Sequence, residues 1–133
     1  MTIQLNHTIV YARDKQISAQ FLADILGISV SPPVARFLPV ALDNGATLDY
    51  MNAADMGLTD PTPQHYAFLV AEDTFDAALA RIVEMGIAYH AEPNGDLPGE
   101  IYHNRRGGRG VYFPDPDGHN MELLTRDLSG RQA

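Results

Sequence analysis

Two stretches of the chain carry the same order of apolar and polar positions. Leu5 to Ala12 (LNHTIVYA) is apolar and β-branched, which predicts a strand. Asp14 to Leu26 follows, with Ile17, Phe21, Leu22, Ile25 and Leu26 on one helical face and Gly27 in the place of a helix C-cap. His65 to Ala71 (HYAFLVA) predicts a second strand. A second helix is predicted from about Thr74 to Met85, with Asp73 as N-cap, Gly86 as C-cap and Phe75, Ala78, Leu79, Ile82 and Val83 as its apolar face. His7, Ile17, Phe21 and Ile25 recur as His65, Phe75, Leu79 and Val83 at a constant offset of 58 (65−7, 75−17, 79−21, 83−25). Two copies are too few for a solenoid and predict one pseudo-symmetric domain.

Three shorter strands are expected after each helix. In the first copy they fall near Ile28–Ser31, Phe37–Leu42 and Ala46–Met51, with Pro32-Pro33 as a break and Asp43-Asn44-Gly45 as a hairpin turn. In the second they fall near Ala88–Ala91, Gly110–Phe113 and Asn120–Thr125, with Asp115-Pro116-Asp117-Gly118 as the last turn. Residues 92–109, rich in Pro, Gly and Arg, read as a loop over a site, and residues after Thr125 as a mobile tail. The pattern is an α+β domain over residues 1–133, with module one at about 3–52 and module two at about 62–126. Each module has a strand, a helix and three strands, and the helices cover one face of an antiparallel sheet.

Strand alternation sorts the side chains. Thr8, Val10 and Ala12, with Tyr66, Phe68 and Val70, are expected against the helices. Leu5, His7, Ile9 and Tyr11, with His65, Ala67 and Leu69, take the opposite face. Met121 and Leu123 suit the core and leave Glu122 on the open face; Leu48 and Tyr50 likewise leave Asp49 there. Two imidazoles and two carboxylates thus share one expected face. A buried unpaired carboxylate is costly, and a divalent cation answers that cost. Nitrogen with carboxylate oxygen suits Fe, Mn, Ni, Co or Zn, and two His with one carboxylate leave open positions for substrate. His7, His65 and Glu122 are the expected ligands, with Asp49 as a fourth ligand, an outer partner or an edge charge.

Composition narrows the classes. There is no cysteine, which removes disulfides, thiolate metal sites and a thiol nucleophile. The net charge of −8 argues against nucleic acid as a partner. No apolar stretch approaches the ~20 residues of a membrane span. The start, Met1 to Leu5, lacks the features of a signal peptide, so a cytoplasmic protein is expected.

Leu5-Asn6-His7, His65-Tyr66-Ala67-Phe68 and the run GVYFPDPDGHNMEL from Gly110 to Leu123 resemble the vicinal oxygen chelate superfamily, which includes glyoxalase I, extradiol dioxygenases, fosfomycin-resistance transferases and bleomycin-resistance proteins. The likeness spans about Leu5 to Thr125. It implies tandem βαβββ modules forming a cupped mixed or antiparallel sheet with helices on the outer face. It places His7, Asp49, His65 and Glu122 on the four ligand positions. It also implies a homodimer with sites shared between chains, His7 and Asp49 from one and His65 and Glu122 from the other. With all four as ligands the set resembles glyoxalase I, with Glu122 as base. Without Asp49 it resembles the dioxygenase triad. The fosfomycin activity is not expected, because Ile9 replaces the family's threonine and residues 104–109 lack the lysine- and serine-rich potassium loop.

Further candidates stand outside the ligand set. Tyr112 is a candidate donor to a metal-bound oxygen, and His103 a candidate acid or base. Arg106 and Arg109, with Tyr11 on the first strand, are candidates for binding substrate; the alternative for the loop is a solvated, mobile segment. His90 and His119 read as structural or exposed. The competing functions are a metal-dependent lyase or isomerase, a dioxygenase, a metal-free protein that sequesters a cationic drug, and a silent scaffold.

Overall fold

The computed structural model describes residues 2–133, which divide into two compact units, one ending at Thr62 and the other running from Pro63 to Ala133. In the first, β1 (His7–Ala12) runs into α1 (Lys15–Leu26), followed by β2 (Leu38–Ala41) and β3 (Thr47–Asn52). Asp14 starts α1 by accepting the Gln16 and Ile17 amides, and Gly27 ends it at φ 72°. The sheet order is β1-β3-β2. Val10, Ala12, Val40, Leu48 and Tyr50 are buried, while His7, Ile9, Thr47 and Asp49 are exposed or half-buried on the other side.

The second unit holds β4 (His65–Leu69), α2 (Glu72–Glu84), β5 (Tyr102–His103), β6 (Arg109–Pro114) and β7 (Asn120–Leu124). Its sheet order is β4-β7-β6-β5. Phe68, Val111, Phe113, Met121 and Leu123 are buried with Phe75, Ala78 and Ile82 of α2. Burying each large side chain contributes about 1.5–3 kcal/mol. Arg109 ties β6 to α2: it forks onto Glu72 (2.5 Å) and Asp76 (2.8 Å), and its guanidinium stands 4.6 Å over the Phe75 ring. Among the described residues no helix is long and apolar enough to cross a membrane.

The fold is α+β and the sheets are mixed, one of the two orders expected. β1 pairs with β3, and β4 with β7, in parallel. The reason is the helix between them: a parallel pair needs a crossover of a dozen or more residues, and α1 or α2 supplies it. Two expected strands are also missing. At 28–31 only Ser31 bonds toward a strand, to the Pro39 carbonyl at 2.9 Å, and Pro32-Pro33 cannot extend that ladder. At 88–91 the backbone makes isolated bridges at His90, to Tyr112 and Pro98. The first unit is therefore βαββ; the second keeps three strands after its helix because β5 forms inside the expected loop.

The helices do not follow the offset of 58. α1 begins at Lys15 and α2 at Glu72, an offset of 57 (72−15), and the buried pairs Ser18/Phe75 and Ile25/Ile82 share it. Ile17 and Val83, aligned to Phe75 and Ile25 by the sequence, are 60% and 56% exposed. Both connections have two residues, but β4 has five residues where β1 has six, so α2 starts seven residues after His65 and α1 eight after His7, and the helix is rotated by one position. The caps shift too: α2 starts after Ala71, without a side-chain cap, and is C-capped by Met85, with Gly86 following at φ 70°. The tail makes hydrogen bonds over residues 126–131. Asp127 Oδ1 accepts the Ser129 and Arg131 amides at 2.9 Å, and Asn104 and Arg106 donate to the Arg126 and Leu128 carbonyls.

Candidate metal centre

The second sheet places Glu122 at its centre. β4 and β6 flank β7, so Ala67 and Tyr112 sit beside Glu122 on the same face. His65 lies two residues along β4, and its Nε2 is 3.1 Å from Glu122 Oε1. Its Nδ1 lies 2.9 Å from the Asn120 carbonyl, which orients the ring with Nε2 toward the carboxylate. Glu122 is 8% exposed. Two donors each about 2.1 Å from one ion lie roughly 3 Å apart, so the pair fits a shared divalent cation.

Tyrosines close the rest of the carboxylate's surroundings. Tyr102 donates its hydroxyl to Glu122 Oε2 at 2.5 Å. Burial first, then the bond to Glu122, pushes the Tyr102 phenol well above its ordinary range. Tyr112 is pushed up to about 12, by burial and then by the Glu122 charge. Both are therefore neutral donors at working pH. His90 stacks on Tyr112, with ring centroids 6.0 Å apart and planes 7° apart, and its backbone exchanges two 2.9 Å bonds with Tyr112. Glu122 and both tyrosines line a cleft of about 460 Å³, together with Glu92, Pro93 and Asp127.

The first unit presents a parallel arrangement. His7 stands opposite Thr47 and Ile9 opposite Asp49, so His7 and Asp49 share one face of that sheet, with Tyr11 further along it. Asp49 accepts the Thr47 hydroxyl at 2.8 Å, and His7 Nδ1 is 2.7 Å from Asn6 Oδ1. Each unit thus offers one imidazole and one carboxylate.

The loop candidates are placed differently. His103 is exposed on β5, and its neighbour Tyr102 is the residue that reaches Glu122. Arg109 is held by Glu72 and Asp76 of α2, and Arg106 donates to the Leu128 carbonyl at 3.0 Å. None of these three lines the cleft, whereas Tyr112 does. Tyr102 was missed because a two-residue strand inside a Pro- and Gly-rich segment leaves no periodicity to read.

A second grouping, Asp115, Asp117 and His119, is buried with donor atoms within 4.8 Å of one another. Two of those atoms serve the turn before β7. Asp115 Oδ1 accepts the amides of Asp117 (2.9 Å) and His119 (2.8 Å), and His119 Nδ1 accepts the Gln64 amide at 2.9 Å. Burial raises the Asp115 carboxyl above its usual range. The grouping is a hydrogen-bonded turn that braces the start of β4.

Comparison with known proteins gives the family. Residues 4–123 match the family model of the Glyoxalase/Bleomycin resistance protein/Dioxygenase superfamily. The solved structure of oxidase ChaP-H2 is 57% identical, with a TM-score of 0.90, and the match covers 96% of each chain. Glutathione transferase FosA of Serratia marcescens is 29% identical, over 100% of this chain and 88% of that protein. Metallothiol transferase FosB of Lysinibacillus sphaericus (strain C3-41) is 28% identical, over 98% of this chain and 89% of that protein. The chain belongs to the glyoxalase/bleomycin resistance protein/dioxygenase superfamily.

Proposed function

We propose that this protein is a divalent-metal-dependent enzyme of the dioxygenase or oxidase type that acts on a small oxygenated organic molecule. The observation that carries this reading is the His65–Glu122 pair at 3.1 Å, beside two neutral tyrosine donors in one cleft. The 57% identity to a protein named as an oxidase favours oxidation over glyoxalase-type isomerisation. His65 and Glu122 are assigned as ligands, with His7 and Asp49 as the further ligands that the resemblance implies. A bound Fe, Mn, Ni, Co or Zn ion would supply a Lewis acid that holds neighbouring oxygens of the substrate. Tyr112 would donate a hydrogen bond to a substrate oxygen in the cleft.

A homodimer with sites shared between chains is part of the proposal. It rests on the resemblance, which implies His7 and Asp49 from one chain and His65 and Glu122 from the other.

The test is elemental analysis of protein purified without chelators or a polyhistidine tag, for wild type, His65→Ala and Glu122→Ala. About one transition metal per chain, lost in both variants, supports the assignment. Fe or Mn with substrate-dependent oxygen uptake supports the oxidative reading. Absence of metal after reconstitution overturns it and leaves a metal-free ligand-sequestering protein.

A further inference from the structure

Tyr102 and Glu122 are two strands apart. Tyr102 is on β5, Glu122 on β7, and β6 lies between them. Neighbouring strands are about 4.8 Å apart, so the two side chains together must span roughly 9.6 Å of sheet, and Tyr102 covers most of it. It does so by lying flat over β6 at Gly110, its register partner. The alternation of β6 buries Val111 and Phe113 in the core, which turns Gly110 and Tyr112 toward the Glu122 face. A methyl group added at Gly110 would fall inside the Tyr102 ring, against its Cζ, Cε2 and hydroxyl oxygen. No positive φ is recorded at Gly110, so its glycine provides space rather than backbone freedom.

The geometry points to Gly110 and Tyr102 as a positioning pair for the Glu122 carboxylate, an inference that rests on Glu122 being a metal ligand. Gly110 leaves a groove across β6, and Tyr102 fills it. The Tyr102 hydroxyl holds Oε2, which leaves Oε1, the oxygen facing His65 Nε2, for the ion. Glu122 is thereby presented as a one-oxygen ligand with a fixed rotamer. Outer partners of this kind typically change metal affinity about 10- to 100-fold when removed.

The experiment is Co(II) titration against a chromogenic chelator. The variants are Tyr102→Phe, Gly110→Ala and the double variant, with His65→Ala and Glu122→Ala as controls, each also followed by thermal unfolding and crystallography. Tyr102→Phe removes only the hydroxyl, so it keeps the test decisive where Gly110→Ala folds poorly. Both single variants are expected to lose about 10- to 100-fold in Co(II) affinity. The double variant should be no worse than the weaker single, since both act through one bond. Wild-type affinity in Tyr102→Phe, or a Gly110→Ala crystal with the Tyr102 hydroxyl still on Glu122, overturns the inference while the metal reading stands. Should wild type bind no Co(II), the metal reading falls. The Tyr102→Phe crystal then decides: a Glu122 carboxylate that stays in place overturns the inference, and one that rotates upholds it.

Discussion

His119 Nδ1 accepts the backbone N–H of Gln64 at 2.9 Å, and so joins the turn before β7 to the residue that precedes His65. His119 is 1% exposed and packs edge-on to Tyr66 at 5.6 Å. Its removal leaves a cavity and an unsatisfied amide. His119→Ala is expected to destabilise the fold by about 2–4 kcal/mol in urea unfolding. His119→Asn keeps an acceptor near Nδ1 and should recover part of that loss. Equal stability of His119→Ala and wild type would show that the bond contributes nothing.

Arg109 is expected to act in stability rather than in substrate binding. Its hydrogen bond and charge hold the Glu72 carboxyl below its ordinary value of 4.5. A depressed carboxyl stabilises the fold above its unfolded pKa, and that contribution is lost as pH falls through the lower folded value. Arg109→Lys cannot fork onto two carboxylates. Its melting temperature should fall by a few degrees at pH 7 and approach wild type in acid. Substrate KM should not change, and a raised KM would return Arg109 to the site.

Tyr112→Phe separates donation from metal binding. Metal content should stay at the wild-type level. Turnover should fall on the order of 100-fold, the usual scale of one hydrogen-bond donor placed on a developing oxyanion. With the phenol pushed up to about 12, its ionisation should not appear in the pH–rate profile near neutrality. Loss of metal in this variant would instead make Tyr112 part of the metal's support.

Metal should stabilise the folded chain. Free ion at about 100 times its Kd adds about 2.7 kcal/mol, read as a rise in melting temperature. Glu122→Gln keeps the side chain's size and loses the charge, so its melting temperature should not respond to added ion. A response equal to wild type would exclude Glu122 as a ligand.

Shared sites can be tested by mixing inactive chains. His7→Ala and Glu122→Ala homodimers are each expected to be inactive. Unfolded together and refolded, they should regain up to about a quarter of wild-type activity, because half the dimers are mixed and each holds one intact site of two. No recovery would place each site within one chain.

The repeat of His7 at His65 and the alternation of each strand were legible in the sequence because they are local. A period of two assigns Glu122, His65 and Asp49 to one side of their strands whatever the strands pair with. Tyr112 alternates with the buried Phe113, and the pairing of β6 with β7 sets it beside Glu122. What depends on pairing was not legible. The parallel partners of β1 and β4 follow from helices crossing over the sheet, the reach of Tyr102 depends on space at Gly110 two strands from Glu122, and the commitment of Arg109 depends on α2 lying over β6. The offset of 58 misled in the helices for a related reason. A one-residue difference in the length of a strand scarcely shows in the spacing of apolar residues, yet it rotates the following helix by about 100° and exchanges its buried face. The sequence by itself determined which residue types face which side of the longer strands β1, β3, β4 and β7. Only the tertiary structure decided which of them touch, because contact depends on strand order, register and the room left by a missing side chain.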